Sequence, residues 1–408
     1  MKKIIAFLFF ILISFQAFSQ KENNVDPDKD LRMSVLPYYN FGKGLGLTSP
    51  DSIFQLNIRF RMQNRATYLS EEGAEEDEIN AEIRRLRLRF DGYVGNPNFM
   101  YAIQLSFSPG DTGGGVEEGE NMQIIRDAVI FYQPTDSWTF SFGQTKLPGN
   151  RQRMNSSGAL QFTDRSINNA SFNIDRDFGF QAHNLNEFKD KFSYNFKGAI
   201  TTGEGRNDTG NSDTGLAYTG KVELFPLGPF KNNGSFFEGD MVREEKPKLM
   251  VSGAYSFNNK ATKSQGQLGE KLFEKRDLST LLLDAMMKYN GWSFQTAYMS
   301  RISKDPITIN PDDVSDISFV YVGDGMDYQL SYLFPSNFEL LGRYSYQNIH
   351  KDVQSLAPDR NQYSFGVTKY IWEHAFKMQA EVTFDELNYI DGTSKNNWYI
   401  RFQVEIGI

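Results

Sequence analysis

Two nearby stretches of sequence decide the fold: IFQLNIRFRMQ, which begins at Ile53, and IRRLRLRFD, which begins at Ile83. Apolar and polar residues alternate in both, and successive side chains of a β-strand point to opposite faces. Each stretch therefore predicts a strand with one apolar face and one polar face. The polar faces share five arginines: Arg59, Arg61, Arg85, Arg87 and Arg89. A soluble sheet rarely gives its wet face so much charge of one sign, whereas a membrane barrel that lines an anion path would.

The same alternation recurs to the C-terminus, for example over residues 99–107, 192–197, 326–334, 376–384 and 398–408. Segments of about 10 residues with this pattern are typical of transmembrane barrels, and about 16 of them follow residue 52. Two segments, 124–133 and 279–290, are ambiguous because they are apolar on parts of both faces. The sequence predicts an all-β fold, a transmembrane antiparallel β-barrel of about 16 strands over residues 53–408.

The N-terminus predicts export. Two lysines precede an apolar run at residues 4–15, and Ala17-Phe18-Ser19 offers a cleavage site, so residues 1–19 are predicted to be a signal peptide. Residues 20–52 then form a periplasmic N-terminal extension. A membrane-anchoring helix is the alternative, but the run is short and no later stretch approaches the roughly 20 apolar residues that a spanning helix needs. An exported chain without such a helix stays in a membrane as a closed barrel, which satisfies every backbone group.

The links between predicted strands alternate in length. Short links lie around residues 95–97, 134–136, 187–190, 290–291, 335–336 and 373–374. Longer polar links lie between them, at residues 71–78, 110–120, 146–176, 203–215, 258–277, 303–315 and 351–360. Outer-membrane barrels have this arrangement, with short periplasmic turns and longer outer loops. The long link 227–246 is an exception, because it falls on the short-turn side.

The longest link, residues 146–176, is the third of the long loops and is predicted to fold inward and narrow the pore. It carries basic residues with few acidic ones, which favours the pore over the alternative of an ordinary solvated surface loop. The candidate residues of this constriction are Lys146, Arg151, Arg153, Asp164 and Arg165.

The five arginines belong to a chain that is acidic overall, with 43 basic and 51 acidic residues. The expected hairpin pairs Arg61 with Arg87 and Arg59 with Arg89, and like charges directly opposite on a sheet are destabilising. The sequence therefore predicts a compensating group, either a carboxylate from the third loop, with Asp164 as the candidate, or a bound anion. Arginines that are merely screened by water are the alternative. Arginine suits phosphate better than lysine does, because its planar fork gives bidentate contacts.

Other classes of function have little support in the sequence. The absence of cysteine excludes a disulfide scaffold, a thiolate metal site and a lipoprotein anchor. The three histidines, His183, His350 and His374, are expected at the surface, and no serine–histidine pair can be assembled. No metal site, cofactor site or nucleic-acid-binding pattern is found, so no enzyme is expected. A soluble sandwich or propeller is disfavoured by the export signal and by the outward aromatic faces.

Several motifs resemble the phosphate-selective porin O and P family. They are Gly143-Gln144-Thr145-Lys146-Leu147-Pro148, Leu160-Gln161-Phe162-Thr163-Asp164-Arg165-Ser166, and Arg176-Asp177 before Gly179. Residues 237–240 and 243–249 resemble the family's members from Bacteroidetes-like bacteria. The resemblance covers roughly residues 41–408 and implies a 16-stranded outer-membrane barrel, usually a homotrimer, with an arginine-lined anion path and a basic constriction. The chain departs from the family at its end, where Ile408 replaces the usual aromatic residue.

The sequence thus predicts a passive channel for small anions, phosphate among them, in the outer membrane of a Gram-negative bacterium. Its partners would be outer-membrane lipid and the anions themselves. A non-selective porin for small solutes is the first alternative, and a structural or adhesive barrel with a closed lumen is the second.

Overall fold

The structure, a computed structural model, describes residues 44–112, 123–208 and 215–408. The predicted signal peptide lies outside these ranges. Within them the chain forms 19 strands. They are β1 (Leu45–Thr48), β2 (Phe54–Ser70), β3 (Glu78–Val94), β4 (Asn96–Ser106), β5 (Ile125–Tyr132), β6 (Trp138–Lys146), β7 (Arg176–Asn186), β8 (Ser193–Thr201), β9 (Ala217–Phe225), β10 (Lys248–Lys263), β11 (Lys271–Tyr289), β12 (Trp292–Ser303), β13 (Ile307–Ile309), β14 (Ile317–Phe319), β15 (Gly323–Leu333), β16 (Phe338–Ile349), β17 (Asp359–Trp372), β18 (Phe376–Asn388) and β19 (Ser394–Gly407).

Sixteen of these strands, β2–β12 and β15–β19, form one antiparallel barrel. The barrel closes where β19 pairs with β2. The predicted all-β barrel of about 16 strands is therefore confirmed. Strands β13 and β14 form a separate hairpin in the link between β12 and β15. Strand β1 pairs with residues 55–58 of β2, just beyond the point where β19 ends opposite Arg61.

Short helical turns occur in the links. The α-helical turns are α1 (Pro109–Thr112), α2 (Arg151–Met154) and α3 (Ile167–Ser171), and the 3-10 turns are Ser157–Ala159 and Lys231–Phe236. None of the described helices is long and apolar enough to cross a membrane. At the β11–β12 turn, Asn290 and Gly291 both have positive φ, 45° and 87°, as a two-residue hairpin of type I′ requires.

The barrel wall has its apolar side chains on the outside and its charged side chains on the inside, the reverse of a soluble protein. Large apolar side chains such as Phe60, Phe180 and Phe365 are exposed on the outside, whereas charged side chains such as Asp91 and Glu405 are buried inside. This distribution is the one expected when lipid surrounds the barrel and water fills its interior. Alternation in the sequence therefore assigned inward and outward faces correctly.

The hairpin of β2 and β3 has the predicted register. Arg59 lies opposite Arg89, and Arg61 lies opposite Arg87. Beyond them the register shifts, because Gln63 pairs with Arg85 whereas Asn64 pairs with Ile83, which leaves Arg84 as the extra residue of a β-bulge. The prediction that like charges face one another across these strands is confirmed.

Two links fold into the barrel. Residues 147–175, here called the third loop, are largely buried although they contain no strand, so the predicted inward fold is confirmed. Residues 227–246, here called the inserted segment, enter from the short-turn side, which the sequence did not predict. Phe237 and Glu238 of this segment are buried, and the Glu238 amide donates to the Ala159 carbonyl of the third loop at 3.0 Å. The two links therefore meet inside the lumen.

The inward link positions explain why residues 279–290 are apolar on both faces. Leu282 of β11 points inward and packs in one cluster with Phe172 and Ile174 of the third loop. Met286, four residues further along the strand on the same face, packs with Phe230 of the inserted segment. The inner face of β11 is thus apolar at these two positions, where it supports the two links.

Candidate functional site

The five arginines of β2 and β3, here called the arginine wall, all lie inside the barrel and are at most 9% exposed. At the level nearest the short-turn end, Arg59 and Arg89 share one carboxylate. The Asp91 Oδ2 atom lies 3.3 Å from Arg59 Nη2, and its Oδ1 atom lies 3.0 Å from Arg89 Nε. One carboxylate thus bridges the two facing arginines at this level.

At the middle level, Arg61 and Arg87 converge on the third loop. Arg61 donates to the Ser156 hydroxyl at 2.9 Å and to the Ser157 hydroxyl at 2.7 Å, and Arg87 donates to the same Ser157 oxygen at 3.0 Å. Two guanidinium groups therefore meet at a neutral hydroxyl. The nearest acidic atom of Glu405 is 3.8 Å from Arg61, a distance that allows only a weak ion pair.

Gly158 allows the third loop to come this close to the wall. A Cβ atom on Gly158 would lie 2.5 Å from Arg61 Nη1 and 2.7 Å from Glu405 Oε1, both too close for van der Waals contact. A small cavity of about 20 Å³ lies beside this contact, lined among others by Arg59, Arg89 and Gln104. The middle of the arginine wall thus borders a cavity about large enough for one water molecule.

At the level nearest the long loops, one carboxylate of the third loop compensates several arginines. Asp164 lies 2.6 Å from Arg65 Nη1, 2.9 Å from Arg85 Nη2 and 3.4 Å from Arg84 Nη2. Asp164 thus reaches the arginine wall at Arg85, but the prediction that it compensates the facing arginine pairs is wrong. The facing pairs Arg59–Arg89 and Arg61–Arg87 are not compensated by it.

The contacts of Asp164 predict that the third loop keeps its position at moderately acidic pH. Burial alone would raise the pKa of this loop carboxyl, but Arg85, Arg65 and Arg84 outweigh burial and hold its pKa well below 3.8. Because the folded pKa is depressed, the stabilisation is fully present above the unfolded pKa and is lost only as pH falls through the folded value. We expect the single-channel conductance to stay constant from about pH 7 to about pH 5. A conductance step with a midpoint inside that range would contradict the assignment.

Basic side chains of other strands hold the backbone of the third loop. Lys221 donates to the Gly149 carbonyl at 2.6 Å, Arg301 to the Ser171 carbonyl at 2.7 Å, and Lys377 to the Gly158 carbonyl at 2.7 Å. These cations are engaged by peptide oxygens. The third loop is thus held from β9, β12 and β18 as well as from the arginine wall.

The basic residues predicted for the constriction divide into two groups. Arg151 lies away from the arginine wall, 2.9 Å from Glu223 on β9, and its Nε donates to the Ser235 carbonyl of the inserted segment. Lys146 donates to the carbonyls of Met154 and Asn155, and so supports the loop.

The other two constriction candidates lie nearer the arginine wall. Arg153 pairs with Asp175 at 2.8 Å, and Arg165 donates to the carbonyls of Gln152 and Asn155. Arg165 lies close enough to Arg85 for the two to repel each other. These two side chains place the third loop's positive charge near the wall.

Three further arginines lie near the long-loop end, and the sequence singled out only Arg176 among them, as part of a motif. Arg126 pairs with Asp111 at 2.9 Å, Arg176 pairs with Asp127 at 2.9 Å, and Arg206 donates to the Asp111 carbonyl at 3.2 Å. Arg126 was missed because a register shift in the β4–β5 pairing breaks the alternation, so that two successive residues of β5 are both buried. Arg206 lies on a link, where alternation carries no signal.

Asp177 fixes the link that carries Arg206. Its carboxylate accepts from the Thr201 and Thr202 hydroxyls, both at 2.7 Å, and from the Gly203 amide at 2.6 Å. Gly203 has a φ of 86°, which glycine adopts without strain. In the Arg176-Asp177 pair singled out in the sequence, Arg176 is therefore a cation inside the lumen, and Asp177 holds the link that carries a second cation, Arg206.

The expectation that all three histidines lie at the surface is wrong for His374. This side chain is 2% exposed, and its ring lies 5.6 Å from that of Phe237 and 4.9 Å from that of Tyr370. The inserted segment covers it, which a short predicted turn gave no reason to expect. Within the part of the chain that the structure describes, no cluster of three or more acidic or histidine side chains could hold a metal ion.

Solved structures with the same fold are outer-membrane channels. The channel DcaP of Acinetobacter baumannii has a TM-score of 0.56 at 12% identity, over 89% of this chain and 99% of that one. OmpF of Salmonella typhi, in complex with daunomycin, has a TM-score of 0.54 at 12% identity, over 88% and 100%. An anion-selective porin from Comamonas acidovorans has a TM-score of 0.51 at 11% identity, over 86% and 99%. At such identities these likenesses establish the fold alone.

Family assignment rests on the sequence. No protein of curated function matches the chain. The family model for phosphate-selective porin O and P matches residues 54–319, which include the arginine wall, the third loop and the inserted segment. Of the buried basic side chains described above, Lys377 lies outside that match. The chain therefore belongs to the phosphate-selective porin O and P family of outer-membrane porins.

Proposed function

We propose that this porin lets small anions, phosphate among them, diffuse passively along the arginine wall. The observation that carries the proposal is the convergence of Arg61 and Arg87 on the neutral Ser157 hydroxyl, beside a small cavity. Guanidinium groups that face one another attract anions and replace part of their hydration, and several weak sites in series let the anion leave again. The anion would pass between the third loop and β2–β5.

The charges along the path support this choice. Arg59, Arg61, Arg87 and Arg89 share Asp91, Glu405 and Asp111 as carboxylate partners, while Asp164 acts at the next level along the wall. The forked guanidinium of arginine matches the oxygens of phosphate better than it matches chloride. The family name points the same way.

The cellular setting belongs to the same proposal. Residues 1–19 would be removed on export to the outer membrane of a Gram-negative bacterium, with the short turns facing the periplasm and the long loops facing outward. The exposed apolar faces would contact lipid. We expect a homotrimer, as the family resemblance implies, which chemical cross-linking of the detergent-extracted porin would check.

Reversal potentials across a planar bilayer test the function. In a potassium chloride gradient, the proposal expects a potential of the sign given by chloride moving faster than potassium. A potential of the opposite sign would overturn the proposal. A potential near zero would favour the non-selective porin instead, and a barrel without conductance would favour the structural alternative.

A further inference from the structure

One carboxylate of a long loop lies against the arginine wall without belonging to any strand. Asp111 is on α1, in the link between β4 and β5, and is only 8% exposed. Its amide donates to the Ser108 carbonyl at 3.0 Å, and its own carbonyl accepts from Arg206. These contacts hold the turn so that the side chain points toward β3 and β5.

The donors around this carboxylate come from three strands. Arg87 Nε donates to Asp111 Oδ2 at 2.8 Å and the Ser106 hydroxyl donates to the same oxygen at 2.7 Å, while Arg126 Nη1 lies 2.9 Å from Oδ1. A second nitrogen of Arg87, Nη2, also donates to Oδ2. Two guanidinium groups and a hydroxyl thus converge on a small oxyanion, which is the arrangement that phosphate-binding sites use.

The site holds more positive charge than Asp111 can balance. Besides its two partners, Arg176 and Arg206 lie near enough to repel Arg126. Arg176 has its own carboxylates, Asp127 and Asp175, whereas Arg206 contacts the Asp111 carbonyl and the Gln123 side chain within the described ranges. The Nε atom of Arg126 has no hydrogen-bond partner within the described part of the chain. A doubly charged anion would match this surrounding better than a single carboxylate does.

We propose that Asp111 occupies a binding site for a tetrahedral oxoanion, such as phosphate or sulfate, that is formed by Arg87, Arg126 and Ser106. The carboxylate competes with the solute for these donors. An entering oxoanion takes over the donors and displaces the side chain, and the carboxylate returns when the anion moves on. No bond is made or broken. This inference rests on the proposed anion path, since it concerns one site along that path.

Block of chloride current by inorganic phosphate in planar bilayers tests the competition. Asp111→Asn keeps the size of the side chain but removes its charge, and we expect the half-blocking phosphate concentration to fall roughly tenfold, because one close negative charge no longer competes. Asp312→Asn, which removes an exposed charge from the β13–β14 hairpin, is the matched control and should change nothing. An Asp111→Asn porin with unchanged or weaker phosphate block overturns the inference.

A second measurement uses the unmodified porin and so does not depend on folding of the variants. Succinate carries the same charged group that already fills the site, so it should compete with phosphate and raise the half-blocking phosphate concentration. Blocks that simply add, without competition, overturn the inference. Its failure is distinguishable from failure of the proposed function, because the reversal potential of the unmodified porin measures anion preference independently of Asp111.

Discussion

Replacing Arg87 with alanine is expected to lower the permeability ratio of chloride over potassium about fivefold. Arg87 faces Arg61 at the narrow middle level, and its charge contributes about 1 kcal/mol to an anion about 4 Å away even in water-like surroundings. That energy is a factor of about five in local anion concentration. The loss also leaves Asp111 with one guanidinium partner fewer, which works in the same direction.

The matched control is Lys351→Ala, since Lys351 is exposed on a long loop and carries the same charge. Reversal potentials of the two variants in the same salt gradient give the comparison. The proposal requires a large change for Arg87→Ala and little or none for Lys351→Ala. Equal chloride-over-potassium permeability ratios in both variants and in the unmodified porin would favour a non-selective channel.

Substituting asparagine for Asp164 is expected to destabilise the porin and to raise its single-channel conductance. The variant leaves Arg65 and Arg85 buried without the carboxylate that joins them. Breaking a fully buried ion pair costs about 3–5 kcal/mol. The Asp164 side chain is 25% exposed, so solvent screening reduces the expected cost to about 1–3 kcal/mol. The third loop also loses its tie to β2 and β3, so it would constrict the pore less.

Two readouts check this prediction. The temperature at which the folded band is lost in gel electrophoresis should fall, and the mean single-channel conductance should rise. Asp136→Asn, which removes an exposed charge from the β5–β6 turn, should leave both unchanged. A variant with normal stability and normal conductance would mean that the loop is held by its other contacts, those of Lys221, Arg301 and Lys377 with its backbone.

Alternation was sufficient to place the arginine wall, because β2 and β3 keep a two-residue period through the arginines. Register followed from the short first loop, so the facing of Arg59 with Arg89 was predictable. Arg65 continues the same period and was missed only because the predicted strand ended at residue 63, seven residues before the strand does.

The remaining parts of the site lie where local pattern carries no positional information. Asp111 and Arg206 reach the lumen from links, and Arg126 follows an irregularity in β5. The inserted segment reads as an ordinary polar link, and its burial depends on contacts with residues far away in sequence, such as Lys288. Arg151 was predicted to lie in the path because the basic charges were counted along the whole loop. The direction in which its side chain points is set instead by the turn at α2 and by the ion pair with Glu223.

The seam between β19 and β2 has a consequence for assembly. It joins residues more than 300 positions apart, such as Gln403 and Arg65, so it forms only when the last strand has been made. Gln403 and Arg65 are hydrogen-bonded to each other, and Arg65 also holds the Thr163 carbonyl and Asp164. Lys377 and Gln379 of β18 hold the same loop from the other side of the seam. The residues that close the ring therefore also hold the third loop, so barrel closure and placement of the loop stabilise each other.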